Sequence, residues 1–259
     1  MEKGTGRMSI MQHIGELRRR MTIVVISLVV AAVVLYFASP VLIDILIRPI
    51  KQYLPGENLA IMSSLGGFTI RFKVSLFIAT IVCSPLIIWE IMGFFVPALK
   101  PSERKWVIPT VIALVILFYL GMIFCYLVIQ EAAFGWMIEQ SAAFATVIPN
   151  ADDYLTIMML LEIGFGVAFE IPLVIFYLSV FHLVPYKTFR ENWRFIYVGL
   201  LIFSAMVTPD ASPVTMFFMF AAIILLYEIS LGVARSYLMR RYGKESLKWS
   251  KEEFEAHDA

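Results

Sequence analysis

Charge is scarce in this chain, and the motifs that most often announce catalysis are missing. Of 259 residues, 16% are Asp, Glu, Lys or Arg and 60% are hydrophobic. The mean hydropathy of +0.83 is far above that of a soluble globular domain. No GxxxxGK[ST] phosphate loop, HExxH zinc helix or GxSxG nucleophile elbow occurs, so ATP hydrolysis has no support and an enzyme is the weaker class. The three histidines, His13, His182 and His257, lie far apart, with no cysteine or acidic cluster at ligand spacing. No metal or other cofactor is implied. Cys83 and Cys125 fall inside apolar runs at different expected depths, which argues against a disulfide. The net charge of +1 gives no reason to expect nucleic acid, because in such a chain the placement of basic residues matters more than their sum.

What is present is apolar length. Apolar segments occupy residues 21–39, 68–96, 106–129, 154–180, 195–207 and 214–232. The first four reach or approach the roughly 20 residues that a helix needs to cross a bilayer. The last two are short. The fifth, about 20 Å long as a helix, must thin the bilayer, lie beside polar protein, or form a re-entrant hairpin with its successor. The expectation is an all-α integral membrane protein of six transmembrane helices. Residues 1–20 are too polar for a signal peptide and no small-residue cleavage site follows, so the first run is read as a retained span.

Orientation follows from the basic residues. Lys3, Arg7, Arg18, Arg19 and Arg20 precede the first span; further Lys and Arg residues lie between the second and third, between the fourth and fifth, and after the last. The opposite connections hold only Arg48, Lys51, Arg71 and Lys73. Both termini are therefore expected in the cytoplasm. This divides the chain into a cytoplasmic amphipathic segment (1–20), a six-helix transmembrane domain (21–232) and a cytoplasmic tail (233–259). Of the outer connections, 40–67 is expected to hold a short interfacial helix over 41–47. The other, 130–153, is expected to anchor at the lipid boundary through Phe134, Trp136 and Phe144. From Ser236 onward the tail reads as a solvated or frayed helix.

Two carboxylates interrupt the fourth run. Glu162 and Glu170 lie in EIGFGVAFEIP (162–172), where burying a charge costs roughly 3 kcal/mol even on the mildest insertion scale. Glu170 falls near mid-membrane, and Pro172 beside it favours a bend. The structural reading is a protonated carboxyl bonded to a neighbouring helix. A functional alternative is a proton-coupled small-solute transporter with Glu170, and perhaps Glu162, as relay, although the two halves of the chain show no inverted repeat. Two further acids lie among bases: Glu16 in HIGELRRR (13–20) and Glu103 in PALKPSERK (97–105). Either they pair locally, Glu16 with Arg19 or Arg20 and Glu103 with Lys100 or Arg104, contributing about 0.3–0.5 kcal/mol each. Or they receive a ligand bearing two guanidinium groups, for which planar bidentate pairing discriminates Arg from Lys. The residues alone weigh these equally.

HIGELRRR resembles the amino-terminal HLxELRxR signature of the TatC family, the core and receptor of the twin-arginine protein translocase, with Ile14 in place of Leu. FFVPALKPSERK is similar to that family's first cytoplasmic loop and FGVAFEIP to its fourth span. TPD (208–210) and LYEIS (226–230) resemble its last hairpin. The resemblance implies a cup-shaped bundle in the cytoplasmic (inner) membrane that binds twin-arginine signal peptides of folded precursors. It also implies single-span TatA- and TatB-type partners, contact with membrane lipid, self-association in a larger complex, and transport driven by the proton-motive force. By motif, Glu16 and Glu103 would hold the two arginines and Arg18 and Phe94 would shape that surface. Glu170 would be the intramembrane polar position that meets a partner. The chain departs from the pattern with TPD for TPPD, Ala222 where proline is common, and Glu90 where the family often has Gln. Glu90 either strengthens cation capture or snorkels beside Trp89; snorkelling is the favoured reading.

Overall fold

Prolines decide where the long apolar helices stay whole and where one of them breaks. In a computed structural model, residues 10–54, 59–96, 104–142, 144–145, 148–180, 183–209, 212–249 and 252–254 are described. Among these residues the chain is helical apart from connections and one isolated bridge, Ala60 to Asn150. Five segments are long and apolar enough to cross a membrane, and Trp193–Val207 is a shorter apolar helix. This is a multi-pass membrane protein. The chain forms two compact units, Met1–Leu46 with Ile61–Val115, and Ile47–Ala60 with Ile116–Ala259.

Two long helices dominate the first unit, α1 (Ile10–Ile47) and α2 (Gly66–Phe95). Each contains a Ser-Pro dipeptide, Ser39-Pro40 in α1 and Ser84-Pro85 in α2. Proline lacks the N–H that would bond the carbonyl four residues back, which leaves Tyr36 and Ile81 without their helical donors. The serine supplies one instead. Ser39 Oγ donates to the Tyr36 carbonyl at 2.7 Å and Ser84 Oγ to the Ile81 carbonyl at 2.8 Å. In hydrocarbon an unsatisfied carbonyl costs several kcal/mol, so this substitution keeps both helices continuous. The separate helix expected over 41–47 is accordingly absent as such: α1 runs through Pro40 to Ile47. Along α1, Val25, Ile26, Val29, Val30, Val33 and Val34 are all more than half exposed, as a helix that meets lipid requires.

The second unit comprises a 3-10 turn (Arg48–Tyr53), the end of α3 (Val107–Phe124), a π turn (Cys125–Ile129) and α4 (Gln130–Ala142). It continues with α5 (Ala151–Ala168), α6 (Ile171–Val180), α7 (Tyr186–Glu191), α8 (Trp193–Val207) and α9 (Pro213–Tyr242). Asn150 caps α5, accepting from the Asp152 N–H, and Ser212 caps α9, accepting from the Thr215 N–H. Leu155, Met158, Leu161 and Phe165 of α5 and Met219, Ile223, Tyr227 and Leu231 of α9 form fully buried stripes. The spacing of three or four residues in each puts them on one helical face.

Glycine permits the closest approach in this unit. A Cβ on Gly121 of α3 would stand 2.5 Å from the Phe165 carbonyl oxygen and 3.0 Å from Gly166 Cα of α5. A Cβ on Gly166 would stand 2.7 Å from the Phe118 ring. Small residues facing one another in this way let helix backbones touch, the main source of packing energy where lipid removes the hydrophobic drive.

The tail is more structured than expected. Helix α9 continues past residue 232 to Tyr242 and ends at Gly243, whose φ of +84° favours glycine. A 3-10 turn (Lys244–Lys248) then reverses the chain, with Ser246 Oγ donating to the Gly243 carbonyl at 2.6 Å. Phe254 is 1% exposed and packs its ring 5.8 Å from Tyr242 and 5.1 Å from Trp249. Tyr242, Trp249 and Phe254 thus form a folded-back aromatic cluster in place of the solvated or frayed helix expected there.

Candidate functional site

Near one end of α1 and α2 the structure assembles a charged cluster from residues 70 positions apart in sequence. Glu16 and Arg20 lie one helical turn apart on α1, so their side chains meet on the same face. Arg20 Nε and Nη2 donate to Glu16 Oε1 at 3.0 and 2.7 Å. Its remaining nitrogen, Nη1, donates to Glu90 Oε2 on α2 at 2.8 Å. The guanidinium thus bridges two carboxylates on two helices. Gly93 makes room for it, since a Cβ there would collide with Arg20 Nη1. Glu90, expected to snorkel, is instead an ion-pair partner with its side chain only 13% exposed. Snorkelling leaves a charge to water; here a half-buried position and a fixed cation hold it.

Beside this cluster runs an apolar groove of about 360 Å³, lined by Leu17, Met21, Ile87, Ile91 and Phe94 with Arg20 and Glu90 at its charged end. Of the residues singled out in the sequence, Phe94 lines this groove, Glu16 is held beside it through Arg20, and Arg18 is exposed on α1. Glu103 lies outside the described residues, as do His182 and Asp210. The sequence signal for the local pairing was sound, because Glu16 and Arg20 stand at i and i+4. That Arg20 also reaches Glu90 had no such signal.

The acids of the fourth span have different surroundings. Pro172 cannot donate to the Ala168 carbonyl, and here no serine precedes the proline; α5 ends at Ala168 and α6 begins at Ile171. Glu170 occupies the joint. Its carbonyl accepts from the N–H groups of Leu173 and Val174 at 3.1 and 3.2 Å and so starts α6. Both carboxylate oxygens are buried and lack a hydrogen-bond partner among the described residues. Glu162 is paired instead: the Gln130 amide, fully buried at the end of the π turn, donates to Glu162 Oε1. π turns displace side chains from the regular helical register, which places Gln130 against α5. Replacing Glu162 with leucine strands that buried amide and is expected to cost about 1–2 kcal/mol; Glu162→Gln keeps a polar partner and should be milder. Thermal unfolding of the detergent-solubilised protein checks the order of the two variants.

A third polar group ties α7 to α9. Arg190 Nη1 pairs with Glu228 Oε2 at 2.9 Å, and the Tyr197 hydroxyl donates to Glu228 Oε1 at 2.9 Å. Tyr227, next to Glu228 in LYEIS, donates its hydroxyl to the Phe189 carbonyl at 3.2 Å. Ser230 of the same motif donates to the Pro172 carbonyl and so pins α6 against α9. Among the described residues, no group of three or more His, Cys, Asp or Glu side chains converges as a metal site would require.

Comparison with known proteins gives one answer. The family profile described as "TatC: Sec-independent protein translocase protein (TatC)" matches residues 12–221. The Sec-independent protein translocase protein TatC of Aquifex aeolicus is 28% identical over 243 residues, which cover 93% of this chain and 100% of that protein. An uncharacterised TatC-like protein of Cyanidium caldarium is 31% identical over 88% of this chain and 94% of its own length. A solved structure, the crystal structure of the twin arginine translocase receptor TatC, superposes with a TM-score of 0.72. It shares 27% identity and covers 86% of this chain and 98% of that one. The solute-transporter alternative drawn from Glu170 and Glu162 finds no support among these matches.

Proposed function

The chain belongs to the TatC family of Sec-independent protein translocase proteins, and from that membership we propose that it is the receptor for twin-arginine signal peptides. It is a protein-translocation component rather than an enzyme. In this reading the two arginines of a folded precursor's signal dock at Glu16 and Glu103, on a surface shaped by Arg18 and Phe94. The apolar segment that follows them in the signal lies along the groove beside Arg20, and Glu170 is the intramembrane polar position that meets a partner. Both termini and the docking surface face the cytoplasm, and the protein sits in the cytoplasmic membrane. Single-span TatA- and TatB-type subunits and further copies of this chain assemble with it, and the proton-motive force drives transport. The observation that carries the reading is local: Glu16 accepts two N–H bonds from a guanidinium at 2.7 and 3.0 Å, beside an apolar groove that begins at that charged end. Such a site matches a guanidinium followed by an apolar segment. Planar forks of this kind give selectivity over an ammonium more than they give raw affinity.

Site-specific photocrosslinkers at positions 16 and 103 test it. A peptide bearing two adjacent arginines before an apolar segment should crosslink from both positions in membranes, and its twin-lysine counterpart should crosslink far less. Equal yields from the two peptides would reject the assignment.

A further inference from the structure

Within the receptor reading above, on which this rests, the geometry points to Arg20 as an internal occupant of the docking site that sets its affinity threshold. Three observations converge. Arg20 uses Nε, Nη1 and Nη2 to hold Glu16 and Glu90 together, at 2.7–3.0 Å, which is the contact an incoming guanidinium would seek. Glu16 Oε2, the oxygen Arg20 leaves unused, is buried and has no hydrogen-bond partner among the described residues. A ligand therefore cannot simply add to Glu16 with Arg20 in place; the resident side chain must leave first. Lastly, the guanidinium rests against Gly93, where any side chain would collide with it, so the backbone is shaped around this resident cation. Arg20 also lines the apolar groove with Leu17 and Phe94, so its departure widens the groove at the end where the ligand's charge arrives.

Exchange of one guanidinium for another conserves the number of ion pairs, and its cost is the population of the closed state. When the competent state is a minor fraction of the total, every ligand's apparent affinity falls by that fraction. The resident arginine therefore weakens twin-arginine and twin-lysine ligands by the same factor and leaves their ratio alone. The intrinsic preference for a planar fork sets the ratio; Arg20 sets the level. The site consequently keeps stray cationic peptides below occupancy while a twin-arginine signal still exceeds the threshold.

The test uses the full chain in nanodiscs and two synthetic peptides, one with paired arginines before an apolar segment and one with paired lysines. Arg20→Gln removes the competitor. Gly93→Ala evicts it by collision while leaving every charge in place. Both variants are expected to bind both peptides more tightly, by roughly fivefold to tenfold, with the arginine-to-lysine ratio unchanged. A residue that only supports the fold would give loss, not gain. If both variants bind equally or more weakly than the parent, or if the ratio shifts, the threshold role is overturned while receptor function stands. If the parent itself fails to bind the arginine peptide, the receptor reading falls instead.

Discussion

Replacing Gly121 with valine is expected to lower the thermal midpoint of the solubilised protein by roughly 10 °C, the equivalent of about 3 kcal/mol in a chain of this size. The collision is with backbone. A Cβ on Gly121 would stand 2.5 Å from the Phe165 carbonyl oxygen and 2.9 Å from the Phe169 ring, and valine adds two methyl groups beyond that. A flexible side chain would yield cheaply, but here α3 must move away from α5, and Gly166 would lose its fit beneath Phe118 and Met122. Gly199 and Gly232 are the controls, because nothing lies within 4 Å of a Cβ on either. Their alanine variants should match or slightly exceed the parent, since alanine is the better helix former. A Gly121→Val protein with an unchanged midpoint would show that this crossing does not set stability.

Glu170→Leu is expected to abolish export of a folded twin-arginine precursor, whereas Glu170→Gln should retain a substantial part of it. The carboxylate oxygens are buried and have no hydrogen-bond partner among the described residues, at a joint between two short helices. A polar group kept there at the cost of burial is poised to meet another polar group from outside the chain. An amide can make such a hydrogen bond and leucine cannot. Measuring transported precursor in membrane vesicles under an imposed proton-motive force, with quantified levels of each variant, separates the cases. Equal loss in both would move the role from hydrogen bonding to proton exchange.

Much of this architecture is written in the sequence as apolar length, because the hydrocarbon core requires about 20 residues per crossing; the fourth run and the short fifth helix follow from it, and the break follows from Pro172. The pairing of Glu16 with Arg20 is local in sequence, so spacing exposes it. Features that join distant segments were hidden. Arg20 had two candidate roles and one visible partner; its second, Glu90, arrives only when α2 packs beside α1. Gln130, beside Glu131, reads as the start of an outer connection, and its bond to Glu162 depends on a π turn for which the sequence carries no signature. The final helix outran its hydropathy because Arg235, Arg240 and Arg241 end the apolar run without ending the helix. Arginine is a good helix former, and solvated side chains do not stop one.

Three prolines in three long helices have had unequal effects, and the difference has a mechanical consequence. Where serine bonds the freed carbonyl, α1 and α2 run on as single helices; where no serine precedes the proline, the fourth span is divided into α5 and α6 with Glu170 at the joint. A bilayer thinner or thicker than the span must be accommodated by tilting or bending, and bending gathers at the most compliant point. The acid is therefore mounted where the membrane's own thickness does its work on the protein, so lipid chain length reaches that carboxylate before it reaches either end of the helix.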